Sequence, residues 1–82
     1  MIYKIEFTAR ADKDLDQIDK PQTRRILRKI EALQDNLAGN VKHLTNFVPE
    51  YRLRVGNYRV LFAIENSKVI IYRIKHRRDA YD

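Results

Sequence analysis

The stretch YRLRVGNYRVLF, residues 51–62, sets Arg52, Arg54 and Arg59 at short intervals among apolar and aromatic residues. Arginine is planar, charged at every working pH, and presents paired N–H donors that match phosphate oxygens. Three arginines converging on one stretch read as an anion site. The C-terminal segment IYRIKHRRDAYD, residues 71–82, extends the set with Arg73, Lys75, His76, Arg77, Arg78 and Tyr81. Other chemistries lack their residues. Two histidines, no cysteine and scattered carboxylates make no metal constellation, so neither a metal site nor a cofactor is expected. There is no glycine-rich phosphate loop and no Ser-His-Asp arrangement.

The charge agrees with that placement. Residues 1–50 carry nine Lys/Arg and eight Asp/Glu, whereas residues 51–82 carry eight Lys/Arg and three acids. The first part reads as an ordinary solvated surface, and the second as a surface for a polyanion. A length of 82 residues allows one domain, 1–82, with a modest core. The absence of cysteine suits a reducing compartment. The opening MIYKIEF has no apolar signal-peptide region, and no run is long enough to cross a membrane. A cytoplasmic location is the expectation.

The elements that would position these residues follow from periodicity. IYKIEF alternates, with Tyr3, Ile5 and Phe7 on the apolar face of an opening strand. Thr8 is placed to cap a helix whose narrow stripe is Ala11, Leu15 and Ile18. Asp19 and Pro21 punctuate the chain before a second helix, expected to reach about Leu37 on the spacing of Ile26, Ile30, Leu33 and Leu37. Gly39 reads as the residue just past its end. VKHLTNFVPE lacks a clean period and reads as a connection. Three strands then follow, near 51–55, 58–65 and 69–75. The expected architecture is a small α+β domain. It has an N-terminal strand, a helical hairpin and a three-stranded antiparallel meander, with the helices on one sheet face.

A two-residue loop at Gly56-Asn57 would set Val55 opposite Tyr58, Arg54 opposite Arg59, Leu53 opposite Val60 and Arg52 opposite Leu61. Directly opposed residues share a face. Tyr51, Leu53, Val55, Tyr58, Val60 and Phe62 then form the core face, and the three arginines lie on the solvent face. Like charges placed opposite each other destabilise a sheet. A local rule broken in this way marks a site of function. The blander account is that each arginine pairs with a nearby acid such as Glu65. The register of the last strand stays open. With Asn66-Ser67 as the loop, Arg73 and Lys75 fall on the Phe62 face, and with Asn66-Ser67-Lys68 they join the arginines. Tyr51, Tyr58, Tyr3 and Phe62 read as packing, and His43 as a surface residue.

YRLRVGNYRVLF, followed by a strand and then IYRIKHRRDAY, resembles the RelE/ParE superfamily of bacterial toxins, nearer its RelE branch. The likeness spans almost the whole chain, including KHL ahead of the sheet and the core RVGNYRV. It implies the RelE-like microbial RNase-type fold and the toxin of a type II toxin–antitoxin system. It further implies a metal-independent endoribonuclease, an mRNA interferase that cuts messages in the ribosomal A site and stops translation. The partners it implies are a RelB-like antitoxin in a hetero-oligomer, the ribosome and mRNA, with no membrane. By the same resemblance Arg52 and Arg54 are the substrate-binding basic pair and Arg59 contacts the scissile phosphate. Arg77 is the second phosphate-stabilising arginine, with Arg78 as its alternative, and Tyr81 stacks on a base. His76 departs from some relatives and corresponds to a terminal acid or base in others.

In such a reaction the 2′-hydroxyl attacks the adjacent phosphate, leaving a 2′,3′-cyclic phosphate and a 5′-hydroxyl. The protein must align the attack, stabilise the phosphorane and move two protons. Arginine serves the second task and, with a reference pKa of about 12.5 or more, not the third. His76, with a reference pKa of about 6.5, fits the third. Tyr81 could assist, and a plain surface histidine is the alternative reading of His76. Two other functions remain: a ParE-like poison of DNA gyrase with no chemistry of its own, and a module that coats nucleic acid through charge. A convergent phosphate site favours the nuclease.

Overall fold

The computed structural model describes residues 2–79. Seven elements run in the order β1 (Lys4–Phe7), α1 (Ala9–Asp16), α2 (Lys20–Ala32), β2 (Val41–His43), β3 (Tyr51–Val55), β4 (Tyr58–Glu65) and β5 (Lys68–His76). The sheet has five strands ordered β1-β5-β4-β3-β2. β1 runs parallel to β5, and every other pairing is antiparallel. The meander of β3, β4 and β5 is the one expected. No described helix is long and apolar enough to cross a membrane.

Thr8 caps α1 as its position suggests, its hydroxyl accepting the Ala11 N–H at 3.2 Å. Asp19 occupies the cap position of α2 with Pro21 in the first turn, but its side chain makes no capping hydrogen bond. Both helices lay apolar stripes on one sheet face. Ala11, Ile26, Ile30 and Leu33 join Leu53, Val55, Val60, Phe62, Val69, Ile71 and Ile74 in a single core. Burying a side chain of the Leu, Ile or Phe class contributes about 1.5–3 kcal/mol each.

Two boundaries differ from the sequence expectation. α2 ends at Ala32, not near Leu37, because the opening segment recruits the backbone that follows it. The Tyr3 N–H donates to the Gln34 carbonyl, and Ile2 bridges to Asp35. Asn36 and Leu37 then take left-handed conformations, at φ 53° and 59°, while Leu37 still packs against the core. Gly39 is therefore not the residue past the helix end. It stands at φ 128° ahead of β2, where a Cβ would lie 3.0 Å from Leu53 Cδ1. Part of the expected connection is a strand: β2 pairs Val41, Lys42 and His43 with Leu53, Arg52 and Tyr51. Three residues are too few to show a period.

Candidate functional site

The Gly56-Asn57 loop has the expected register, with Arg54 opposite Arg59 and Arg52 opposite Leu61. Gly56 supplies the positive φ, 56°, that a tight hairpin turn demands at its first central residue. The second loop is Asn66-Ser67. Both residues have positive φ, 51° and 65°, and Glu65 pairs with Lys68. On a regular ladder that loop would send Lys75 to the Phe62 side. A bulge reverses it: Phe62 faces Ile71, yet Leu61 faces Arg73, so Tyr72 is the extra residue. Beyond the bulge Val60 faces Ile74 and Arg59 faces Lys75.

Two basic rows cross the sheet as a result. One is Arg54, Arg59, Lys75 over β3, β4 and β5. The other is Lys42, Arg52, Leu61, Arg73 over β2 to β5. At an inter-strand spacing of about 4.8 Å, the first row sets three cations along about 10 Å. Lys75 and Lys42 are members that spacing alone did not assign.

This face is less open than expected. Arg59 is 3% and Arg52 7% exposed, and Leu61 and Ala63 are buried beside them. Arg59 Nη1 donates to the carbonyls of Gly56 (3.4 Å) and Tyr58 (3.3 Å), and so folds back on its own hairpin. Arg52 Nη1 donates to the Asn40 carbonyl at 3.3 Å. Buried arginines of this kind set positive potential from below the surface. Of the two rows, Arg54 and Lys42 are exposed, and Arg77 is exposed beside them. Arg54 has no acidic partner among the described residues. Glu65, offered as a neutralising acid, faces Lys68 at the far end of β4. Arg77 is brought alongside the hairpin tip by its backbone, whose N–H donates to the Asn57 carbonyl at 2.7 Å.

His76 does not join this group. It faces Tyr58, a core-face residue, and the two rings meet edge to face at 5.4 Å and 79°. Its Nδ1 accepts the Arg78 N–H at 3.3 Å. His76 and Arg78 line an open cleft of about 420 Å³ with Asp14, Tyr58 and Arg73, on the α1 side of the molecule. Alternation along β5 thus separates His76 from Lys75 and from Arg59. Tyr81 lies outside the described residues. His43 is exposed, as expected, with its ring edge to face against Tyr51 at 5.0 Å, and Tyr51 stacks on Phe62 at 5.4 Å, as packing residues do.

Asp14 organises the free edge of β5. The β1 ladder ends at Phe7 opposite Ile71, which leaves later β5 backbone groups without a strand neighbour on that side. Thr8 bonds the Ile71 and Tyr72 carbonyls, and Asp14 Oδ2 accepts the Ile74 N–H at 2.9 Å. The same carboxylate takes Arg73 Nε at 2.9 Å and Nη2 at 3.3 Å. Burial pushes the Asp14 carboxyl up. The Arg73 hydrogen bond, the Ile74 N–H and the charges of Arg73 and Arg10 together outweigh that and hold it below the usual carboxylate range. The signal for Asp14 was in the sequence: it lies on the same helical stripe as Ala11, Leu15 and Ile18. An acid on an apolar stripe needs a partner.

Known proteins carry the same design. A sequence profile for the ParE toxin of type II toxin–antitoxin systems, parDE, matches residues 5–81. Toxin RelE3 of Methanocaldococcus jannaschii is 31% identical over 84 residues, covering 96% of each chain. A chain of the RelB–RelE antitoxin–toxin complex from Methanococcus jannaschii superposes with a TM-score of 0.75 at 30% identity, covering 89% of this chain and 91% of that one. A chain of the archaeal RelE–RelB complex from Pyrococcus horikoshii OT3 gives 0.76 at 25% identity, covering 98% and 100%. With two helices on a five-stranded sheet, a hairpin rich in arginine and these relatives over nearly its full length, the chain belongs to the RelE/ParE superfamily of type II toxin–antitoxin toxins.

Proposed function

We propose that the chain is a ribosome-dependent endoribonuclease that cuts messenger RNA in the A site, without a metal, by attack of the 2′-hydroxyl on the adjacent phosphate. The observation that carries this reading is the row Arg54, Arg59, Lys75, with Arg77 drawn to the hairpin tip beside it. Such a row fits a phosphate backbone laid across the strands. Arg54 and Arg77 grip the phosphates, while Arg59 and Arg52 stabilise the phosphorane charge from beneath, where low dielectric strengthens the field. Arg78 adds charge at the turn. Tyr81 stacks on a base and takes part in proton transfer. His76, on the Tyr58 side, supports the end of β5 in this reading and does not act as the base.

The relatives RelE of Methanococcus jannaschii and of Pyrococcus horikoshii are described in complexes with RelB. We assign this chain a RelB-like antitoxin that covers the same basic face, and the reducing cytoplasm as its compartment. The ParE description of the matching profile supports a second reading, a gyrase poison on the same fold.

Primer extension on a message in a reconstituted translation reaction tests the first reading. New 5′ ends in register with A-site codons are expected with ribosomes and not on free RNA. Equal cutting of free RNA excludes the A-site mechanism. No cutting, together with loss of gyrase supercoiling activity, selects the second reading.

A further inference from the structure

A second basic surface lies on α2. Pro21, Arg24, Arg25, Arg28 and Lys29 line an open depression of about 520 Å³, and all four cations are exposed. Their numbering repeats at three and four residues, so they share one helix face, turned away from Ile26, Ile30 and Leu33. None of the four makes a side-chain hydrogen bond or a salt bridge among the described residues. Arg24 with Arg28, and Arg25 with Lys29, are like-charge pairs four apart, which weaken a helix. Glu31 is the sole acid in α2. Fold stability alone does not favour this arrangement.

The surface is continuous with the hairpin. The Arg25 guanidinium lies over Gly56, where a Cβ would stand 3.1 Å from its Nη1. Gly56 accepts from Arg59, and Asn57 accepts from the Arg77 N–H. A band of cations therefore runs from α2 around the turn to Arg77 and Arg54.

We propose that this α2 face docks the phosphate backbone of double-helical RNA, while the sheet row takes a separate strand. Charge complementarity names a polyanion, and the absence of other features narrows it. Protein interfaces centre on apolar and aromatic anchors, and the depression is lined by four cations and one proline. Single-stranded nucleic acid is held by aromatic stacking, and α2 contains no aromatic residue. Double-helical RNA is recognised by its phosphates and A-form shape, which suits an array of arginines. The choice of RNA over DNA rests on the nuclease reading above.

The test is equilibrium binding of a 16-base-pair RNA duplex to the purified toxin across a salt series, beside a DNA duplex of the same sequence and poly-glutamate. The variant Arg24→Gln with Arg28→Gln keeps good helix formers, and its melting temperature should hold or rise. The expected result is RNA-duplex affinity reduced about tenfold or more at low salt and a salt slope shallower by about 2, one for each phosphate contact removed. Arg54→Gln should change duplex binding far less. An unchanged affinity and slope in the double variant overturns the proposal. So does an equal loss for poly-glutamate, or DNA bound as tightly as RNA with the same loss. The duplex is not a message, so failure to cut translated RNA would leave this result standing, and the reverse holds too.

Discussion

At the scale of single residues, Arg54 and Arg59 look alike in sequence and differ in consequence. Arg54 is exposed and faces a like charge. Arg54→Ala is expected to leave the melting temperature unchanged or slightly raised, since it relieves repulsion, and to slow cleavage about 10²-fold. A thermal melt and primer extension on the same preparation check both halves. Arg59 is buried and bonded to two hairpin carbonyls. Arg59→Ala should cost about 1–3 kcal/mol of stability as well as activity, because it removes a buried side chain and the hydrogen bonds that it donates to the Gly56 and Tyr58 carbonyls. His76→Gln should leave the pH dependence of cleavage near neutrality unchanged, because the ring faces Tyr58 and not the arginine row. Loss of a titration near neutral pH in that variant would return the base role to His76.

Asp14 gives a prediction in pH. Its pKa is lower folded than unfolded. A depressed carboxylate adds stability that is fully present above its unfolded pKa, about 3.9, and disappears as pH falls through the lower folded value. Asp14→Asn keeps an acceptor for the Ile74 N–H and loses the charge opposite Arg73. It should be less stable than wild type by about 1–3 kcal/mol at pH 7. The gap should stay constant down to about pH 5 and close below about pH 4. Urea unfolding of both proteins at a series of pH values measures it. A gap that does not narrow as pH falls below about 4 would mean that the carboxylate charge is not its source.

At the scale of elements, the hairpin turn and the bulge do the positioning. Gly56 holds φ 56° under the Arg25 guanidinium. Gly56→Ala should cost about 1–2 kcal/mol from left-handed backbone strain. The guanidinium is the far end of a flexible side chain, so crowding should add little. Chemical unfolding gives the cost, and because Arg59 and Arg77 both anchor on this turn, cleavage should fall further than stability predicts. The bulge in β5 is at Tyr72. It sits where the β1 ladder stops and Thr8 and Asp14 take over the edge of β5. That handover moves Lys75 to the side of Arg59 and His76 to the side of Tyr58.

At the scale of the whole molecule, a net charge of +6 is deployed as two surfaces joined around the hairpin tip. An antitoxin that silences the sheet row should cover Arg54 and Arg77. Bound toxin should then melt at a higher temperature, and hydrogen exchange at the tip around Gly56-Asn57 should slow. A silenced complex with both arginines fully accessible would place inhibition elsewhere.

What the chain determines by itself is local. A Gly-Asn pair between two alternating runs sets the β3–β4 register, because a two-residue turn leaves one pairing that buries the apolar face. Thr8 before an apolar stripe sets the start of α1, and Ile26, Ile30 and Leu33 set the buried face of α2. The arginine hairpin and the family likeness were legible for the same reason, since both are written in adjacent residues. The tertiary structure decided what depends on distant neighbours. Whether Lys75 joins Arg59 turned on one extra residue in β5, stabilised by groups from Thr8 and Asp14 some sixty positions away. The end of α2 was decided by Ile2 and Tyr3, and the existence of β2 by its partner β3. The burial of Arg52 and Arg59 required the packed sheet, because a side-chain period of two reports which face a residue takes and not what covers that face.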